Sequence, residues 1–298
     1  MKLKNRFLLA NSIGLLYAII CLYLAQWWIN YLGRVLGNYY LALAIILFIA
    51  IIPGYLNILL LATLYVYRYH PLRIKKSDLP PVSLLIAAYN EEEVIRETFR
   101  GIRQQDYPNQ IEVVLVDDGS EDNTIAELEK LRLPNLKIIR AEHGGKANAL
   151  NLGLKHCSHE IITTIDADTF LYKNALSRIV SRLLSDPDYA AVAGHVLVKN
   201  ERMSRLSRMQ SWDYMLGISA VKMQQGLFHG TLVAQGAFSV FKKKPLLELK
   251  GWRQRIGEDI VLTWALLKKG YRVGYEPTAF AFTHAPLNYY GFFRQRQR

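Results

Sequence analysis

The chain has 298 residues, enough for one large domain or two smaller ones with a sizeable core. Its 37 Lys and Arg outnumber 25 Asp and Glu, and the formal charge of +12 suits an anionic partner: a nucleotide, a nucleic acid or a lipid headgroup. Cys21 and Cys157 lie far apart with no metal-type spacing, which excludes a disulfide scaffold or a cysteine-built zinc site and fits a reducing, cytosolic setting for the soluble part.

Lys2, Lys4 and Arg6 open the chain, and residues 7–28 then carry no charge, a run long enough to cross a bilayer. Trp27, Trp28 and Tyr31 read as an interfacial aromatic belt, followed by a short loop holding Arg34. A second uncharged stretch, about residues 36–67, contains Pro53-Gly54, where a kink or tilt is expected. The first segment lacks a small-residue cleavage site and reads as an anchor rather than a signal peptide. Arg68, His70, Arg73, Lys75 and Lys76 form a basic cluster after the second stretch. The positive-inside rule then places the N-terminus and everything beyond Arg68 in the cytoplasm. Residues 1–76 therefore read as a transmembrane hairpin with a basic flank, in a multi-pass membrane protein. Residues 77–298 read as a cytoplasmic domain, and the lipid bilayer is one partner.

Beyond Pro80-Pro81 the apolar pattern alternates between buried strands and helices. Strands are expected at 82–88, 111–116, 136–140 and 161–165, with helices to about 105, to 131, and from Lys146 onward. That alternation predicts an α/β fold with a mostly parallel central sheet and right-handed crossovers, whose ligands bind beyond the carboxyl ends of the strands. Tyr89, Asp117 with Asp118, and Asp166 with Asp168 all fall at such ends. Asp166 and Asp168, two residues apart at the end of a strand, project to one face. Two carboxylates that close require a cation, and Mg²⁺ or Mn²⁺ prefers carboxylate oxygen shared with substrate phosphates. A dinucleotide fold should show Gly-x-Gly-x-x-Gly after the first strand, but Tyr89-Asn90-Glu91-Glu92-Glu93 stands there without glycine. Gly144-Gly145-Lys146 is too short for a Walker A loop, although a lysine at a helix start can meet a phosphate.

The motifs Ala88-Tyr89-Asn90-Glu91, Val116-Asp117-Asp118-Gly119-Ser120, Gly145-Lys146-Ala147-Asn148-Ala149-Leu150-Asn151, Asp166-Ala167-Asp168, Gly257-Glu258-Asp259 and Gln295-Arg296-Gln297-Arg298 follow in this order. Together they make residues 82–298 resemble family 2 glycosyltransferases of the GT-A fold. The similarity is to the membrane-bound branch: hyaluronan, chitin and cellulose synthases, and particularly poly-β-1,6-N-acetylglucosamine synthases. The resemblance implies that Tyr89 and Glu91 border the nucleotide base, with Asp118, and with it Asp117, at uracil or ribose. It implies Lys146 at the nucleotide or diphosphate, Asp166 and Asp168 at Mg²⁺ or Mn²⁺ and the diphosphate, and Asp259 as general base. Gln235, Gly236, Ala237 and Glu258 would border the acceptor, and Gln295 and Arg298 would match the Gln-x-x-Arg-Trp signature of processive synthases, with Arg298 facing the diphosphate. The implied reaction is an inverting, metal-dependent transfer from a UDP-sugar, N-acetylglucosamine favoured, to a β-linked exopolysaccharide of the kind found in biofilms. Donor, saccharide acceptor and bilayer are then the partners, and the resemblance places the chain in the inner (plasma) membrane. No nucleic-acid motif is visible, and the positive charge sits mainly beside the membrane segments.

Helices are expected over 170–184 and, with apolar and arginine residues at helical spacing, over 202–225. A strand is expected over 190–198, and an amphipathic interfacial helix over the aromatic-basic stretch from Tyr289. His195 and His229 have no partner at ligand spacing and read as core or surface residues. The sequence stops before the signature tryptophan and before the further membrane helices of processive relatives. The expectation is a fragment or a chain that works with a further membrane subunit or by self-association. Two rivals stay open: non-processive transfer of one sugar to a lipid carrier, and a catalytically silent membrane subunit.

Overall fold

The structure, a computed structural model, describes residues 3–66, 72, 78–131, 133, 135–227 and 230–297. The basic cluster from Arg68 to Lys76, His229 and Arg298 lie outside the described residues. The chain separates into two compact units, Met1–His70 and Pro71–Arg298.

The first unit contains α1 (Leu3–Leu24), α2 (Gln26–Leu36), α3 (Tyr39–Ile46) and α4 (Ile52–Val66), with a π-helical turn, Leu47–Ile51, joining the last two. Among the described residues two helices are long and apolar enough to cross a membrane: Lys4–Leu24 and the continuous Tyr39–Val66. The expected irregularity at Pro53-Gly54 is the π-helical turn. Pro53 lacks an N–H and its ring crowds the carbonyl four residues back, so the helix widens just before it instead of stopping. Helix α1 packs along α4, and the Tyr55 hydroxyl donates to Asn11 Oδ1 at 2.6 Å. The expected short loop around Arg34 is a helix instead. Ile29 and Gly33, four residues apart, bury one side of α2, and the helix ends at Gly37 in the left-handed region. Asn38 then caps α3 by accepting from Leu41 N at 3.1 Å.

In the second unit β1 (Val82–Ala88), α5 (Ile95–Arg103), β2 (Ile111–Asp117), α6 (Thr124–Glu129), β3 (Leu136–Arg140), α7 (Lys146–His156) and β4 (Ile161–Asp166) alternate as the sequence pattern predicts. There follow β5 (Phe170–Leu171), α8 (Ala175–Leu184), β6 (Tyr189–Val198), α9 (Arg205–Asp213), α10 (Val221–Leu227), β7 (Phe238–Lys242), α11 (Lys243–Glu248), α12 (Glu258–Lys268), β8 (Arg272–Thr283) and α13 (Tyr289–Arg296). Two expected helices are corrected. Phe170 and Leu171 pair with Phe282 and Ala281 of β8, so the helix expected from 170 starts at Ala175. The helix expected over 202–225 starts at Arg205, where Ser204 and Ser207 form a capping box, and widens into a π-helical stretch, Tyr214–Ala220, before α10.

The eight strands form one sheet in the order β3-β2-β1-β4-β7-β6-β8-β5. The β3-β2-β1-β4 half is parallel; β7 runs antiparallel to β4 and to β6, and β8 runs parallel to β6. The chain builds outward from β1 to β3 and then returns to place β4 on the other side of β1. The carboxyl ends of β1 and β4 therefore flank a topological switch point, where open α/β sheets leave a crevice. Period-two alternation splits the core between the two sheet faces. Leu84 and Ile86 pack with Phe99, Leu176 and Ile179, whereas Leu85 packs with Leu150, Phe241 and Leu262.

Candidate active site

Register puts the acidic strand ends at one level. Ala88 of β1 lies opposite Asp117 of β2, and Ala87 lies opposite Asp166 of β4. Because β7 runs antiparallel to β4, its first residues lie where β4 ends. Ile165 pairs with Phe238, and Asp166 N donates to Ala237 O at 3.3 Å. This carries Gln235, Gly236 and Ala237 to the same edge as Asp166.

On the β1–β2 side the Tyr89 ring lies against the His143 ring, with centroids 4.4 Å apart and planes tilted by 31°. Both rings are exposed and lie face against face, which leaves the outer face of the pair open to an aromatic base. Asn90 takes a left-handed conformation, and its side-chain oxygen accepts from Glu121 N at 2.8 Å. Glu91 donates its N–H to Thr124 Oγ1 at 2.8 Å, and its carbonyl accepts from Ile95 N at the start of α5. Asp117 Oδ1 accepts from Ser120 N at 3.1 Å. Buried Asp118 accepts from Gly144 N and Gly145 N, both at 2.9 Å, one on each carboxylate oxygen, with His143 Nδ1 3.0 Å from Oδ2. Asp118 thus pins the loop that delivers Lys146. Gly145 completes that loop at φ 86°, a conformation costly to any residue with a Cβ.

Lys146, the first residue of α7, is bonded to Asp166 Oδ1 and lies 3.9 Å from Glu258 Oε1. Burial works against its ammonium, but the charge and hydrogen bond of Asp166, with Glu258 and Asp259, push its pKa up to about 12. Asp168 accepts from Thr283 at 3.3 Å and from Thr169 at 3.4 Å, contacts with neutral hydroxyls. Burial and the like charge of Asp166 push its pKa up. Burial also raises Glu258, against the pull of Lys146. On α12, Asp259 Oδ2 accepts from Gly236 N at 3.2 Å and Oδ1 from Ile260 N at 2.8 Å. A Cβ on Gly236 would stand 2.8 Å from Lys146 Nζ, so a side chain there would displace the end of Lys146 from its place beside Asp166.

The donor set fits a hard divalent cation. Burial and the charge of Asp166 work against the Asp168 carboxylate, and among the described residues the cation bonded to this pair is the Lys146 ammonium on Asp166. No group of three or more His, Cys, Asp or Glu suited to a metal exists among the described residues.

The structure brings Lys146, Asp166, Gly236, Glu258 and Asp259 together, with Asp168, Gln235 and Ala237 adjoining. Tyr89, Glu91, Asp117 and Asp118 line the neighbouring strand ends. Gln295 lies exposed on α13, and Arg298 is outside the described residues. Three further residues escaped the sequence reading. His143 forms the stacking surface with Tyr89. Arg296, next to Gln295, pairs with Asp213 at the end of α9. Burial raises the Tyr214 hydroxyl pKa, Arg296 opposes the shift, and the charges of Asp168 and Asp166 add to it, so this hydroxyl sits within electrostatic reach of the acidic pair. The basic spacing in Arg294, Arg296 and Arg298 was the available signal for Arg296; Tyr214 had none.

Residues 83–250 match the model of glycosyl transferase family 2. The chain is 32% identical over 228 residues to a poly-beta-1,6-N-acetyl-D-glucosamine synthase of Staphylococcus aureus, covering 76% of this chain and 55% of that protein. It is 33% identical over 224 residues to the synthase of the same name from Staphylococcus epidermidis, covering 73% and 53%. The chain thus spans about half the length of the curated relatives it matches. Among solved structures, the mannosyltransferase PcManGT of Pyrobaculum calidifontis, in complex with GDP-Man and Mn²⁺, superposes with a TM-score of 0.64 at 26% identity, covering 78% of this chain and 65% of that one. TarS of S. aureus shares the fold at a TM-score of 0.52 and 21% identity, covering 69% and 37%. With a GT-A-type sheet, acidic strand ends at its switch point, and a family match over more than half its length, the chain belongs to glycosyl transferase family 2.

Proposed function

We propose that the chain transfers a sugar, N-acetylglucosamine in the favoured reading, from a UDP-sugar to a growing β-linked exopolysaccharide at the cytoplasmic face of the inner membrane. The observation that supports this most is the meeting of Lys146, Asp166, Gly236, Glu258 and Asp259 at the switch point of the sheet. Residues 1–76 serve as the membrane hairpin and residues 77–298 as the cytoplasmic catalytic domain in this reading. The synthases from S. aureus and S. epidermidis support the choice of sugar and polymer by their names.

The nucleotide base lies against Tyr89 and His143, with Glu91, Asp117 and Asp118 at the base and ribose. Lys146 meets the diphosphate and opposes the negative charge that grows there as the sugar–phosphate bond breaks. Asp166 and Asp168 hold Mg²⁺ or Mn²⁺, which when bound neutralises the same charge as a Lewis acid. Asp259, oriented by the Gly236 N–H, takes the proton of the acceptor hydroxyl. The hydroxyl attacks opposite the leaving diphosphate, so an α-linked donor gives a β-linked product. Gln235, Gly236, Ala237 and Glu258 line the acceptor side, and Gln295 and Arg298 close the site over the diphosphate. Self-association or a further membrane subunit completes the polymer path.

The deciding experiment measures nucleotide release and product by the chain in lipid nanodiscs, across a panel of UDP-sugars and GDP-mannose, with and without EDTA. GDP-mannose belongs in the panel because PcManGT was solved with it. Release from UDP-N-acetylglucosamine that needs Mg²⁺ or Mn²⁺ and yields a polymer supports the reading. A single-sugar glycolipid overturns the polymer, preference for GDP-mannose overturns the donor, and no release from any donor establishes the silent-subunit reading.

A further inference from the structure

Lys222, on α10, is 5% exposed. No ion pair joins it to a carboxylate among the described residues. Its Nζ donates to Gln235 Oε1, and the other end of that carboxamide, Nε2, donates to Gly194 O at 3.0 Å. The Gln235 backbone carbonyl accepts from Ser239 Oγ at 2.7 Å, and the next residue, Gly236, gives its N–H to Asp259 Oδ2. Two charged or titratable groups act on Lys222 from the elements around it. Asp259 of α12 attracts its charge, and His195 of β6 is repelled by it. The His195 ring uses Nδ1 on Pro277 O at 2.9 Å, and its buried Nε2 has no hydrogen-bond partner among the described residues.

We propose that Lys222 is a positioning residue for the acceptor side of the site: its Nζ fixes the Gln235 carboxamide and, through residues 235–237, the Gly236 N–H that orients the Asp259 carboxylate. The inference rests on the glycosyltransferase reading above. Its physical basis is that a lysine at a buried position without a carboxylate partner weakens a fold, whereas an apolar side chain of similar length strengthens it. A purely structural position gains nothing from lysine here. A link from Nζ through the Gln235 side chain and the 235–236 backbone to the N–H that holds the proton-accepting carboxylate supplies a reason for it. Burial lowers the Lys222 pKa to about 7, with Asp259 resisting the shift, so the group changes charge near neutrality beside the acceptor loop. Protonated Lys222 donates to Gln235 Oε1 with a full charge. The neutral amine above pH 7 holds it more weakly, which makes acceptor use, rather than donor binding, the pH-sensitive quantity.

The test compares the native chain, Lys222→Met, Gln235→Leu and the double variant in nanodiscs, with UDP-N-acetylglucosamine and a saccharide primer. Lys222→Met is expected to raise the thermal midpoint at pH 6 while lowering kcat/KM for the primer at least tenfold, and to move the donor KM less than twofold. The native profile of primer kcat/KM should show a step near pH 7 that Lys222→Met lacks. Gln235→Leu should cost as much as the double variant, because both remove one chain of contacts. Lys222→Gln, an uncharged donor, is the second variant if the methionine protein does not fold, and should keep more primer activity than Gln235→Leu. Primer kcat/KM within twofold of native in Lys222→Met overturns the proposal, as does Lys222→Gln with no more primer activity than Gln235→Leu, or a parallel rise in donor KM. A native chain that turns over no donor overturns the glycosyltransferase reading itself, which separates the two failures.

Discussion

The two halves of the sheet meet at β4 and follow different rules. In β3-β2-β1-β4 every strand is parallel and each connection carries a helix back across a face, so the carboxyl ends fall together. In β7-β6-β8-β5 the directions are mixed, antiparallel at β7–β6 and β8–β5 and parallel at β6–β8, and what reaches the site is the beginning of β7 and the start of α12. The parallel half supplies Tyr89, Asp117, Asp118, Lys146 and Asp166, residues read as serving the donor. The mixed half supplies Gln235 to Ala237, Glu258 and Asp259, read as serving the acceptor. In the proposed reading the groups for the two substrates come from the carboxyl ends of parallel strands on one side and from the approach to β7 and the start of α12 on the other, which meet at the switch point.

The largest expected effect tests the acceptor half. Asp259→Asn should lower transfer about 10³-fold, the range of a lost general base, with donor affinity kept in a calorimetric titration. If turnover is unchanged, the acceptor half does not hold the base and the comparison breaks. On the other side, Lys146→Met should lower kcat about 10²-fold by removing a cation from the leaving group, and should weaken UDP binding as well. A change in primer KM alone would move Lys146 to the acceptor half.

The opposite end of the parallel half gives a control. Glu112 of β2 accepts from Ser83 at 2.5 Å, Lys137 at 2.6 Å, Ser158 N at 2.7 Å and Ser158 Oγ at 2.8 Å, tying together the starts of β1, β2 and β3 and the approach to β4. Burial opposes its ionisation, but Lys137, Ser158 and Ser83 outweigh burial and hold its pKa at about 2. A carboxyl lowered by folding stabilises the native state above its unfolded pKa, and that stability is lost as pH falls through the native value. Native stability should therefore decline between about pH 4.5 and pH 2 by roughly 2 kcal/mol from this group, the exposed Lys137 partner reducing the full linkage value. Glu112→Gln should remove that dependence in urea titrations while leaving kcat near native.

Smaller effects probe the seam and the base. Gly236→Val should cost roughly tenfold in transfer, about 1–2 kcal/mol of overpacking against Lys146 Nζ, seen as a change in both primer KM and kcat. His143→Ala should raise the donor KM about threefold, the scale of one lost aromatic contact, and leave primer KM alone. An effect on primer KM instead would detach the Tyr89–His143 surface from the donor.

The parallel half was legible because each strand carries its own signal: an unbroken apolar run ending in polar residues, followed by a helical period. The expected strand at 82–88 matches β1 as observed, and Asp117 and Asp166 close β2 and β4 as read. The mixed half was less legible. Gly274 and Pro277 interrupt β8, which is accommodated by a register shift near His195, and β7 runs straight into the lysines of α11. Phe170 and Leu171 look helical in sequence, and only the free edge of β8 makes them a strand. The motifs still pointed to Gln235, Gly236 and Asp259, through resemblance rather than through local pattern.

Sequence alone determined two long apolar segments, the βα alternation of residues 82–166 and the acidic strand ends, because these follow from local periodicity and from which residues end each run. The tertiary structure decided that the β7 loop lies against Lys146, that Asp118 spends its oxygens on Gly144 and Gly145, that His143 shares a surface with Tyr89, and that Lys222 stands buried behind Gln235. These are contacts between residues up to about ninety positions apart, set by strand direction and register. No local pattern in a single chain encodes them.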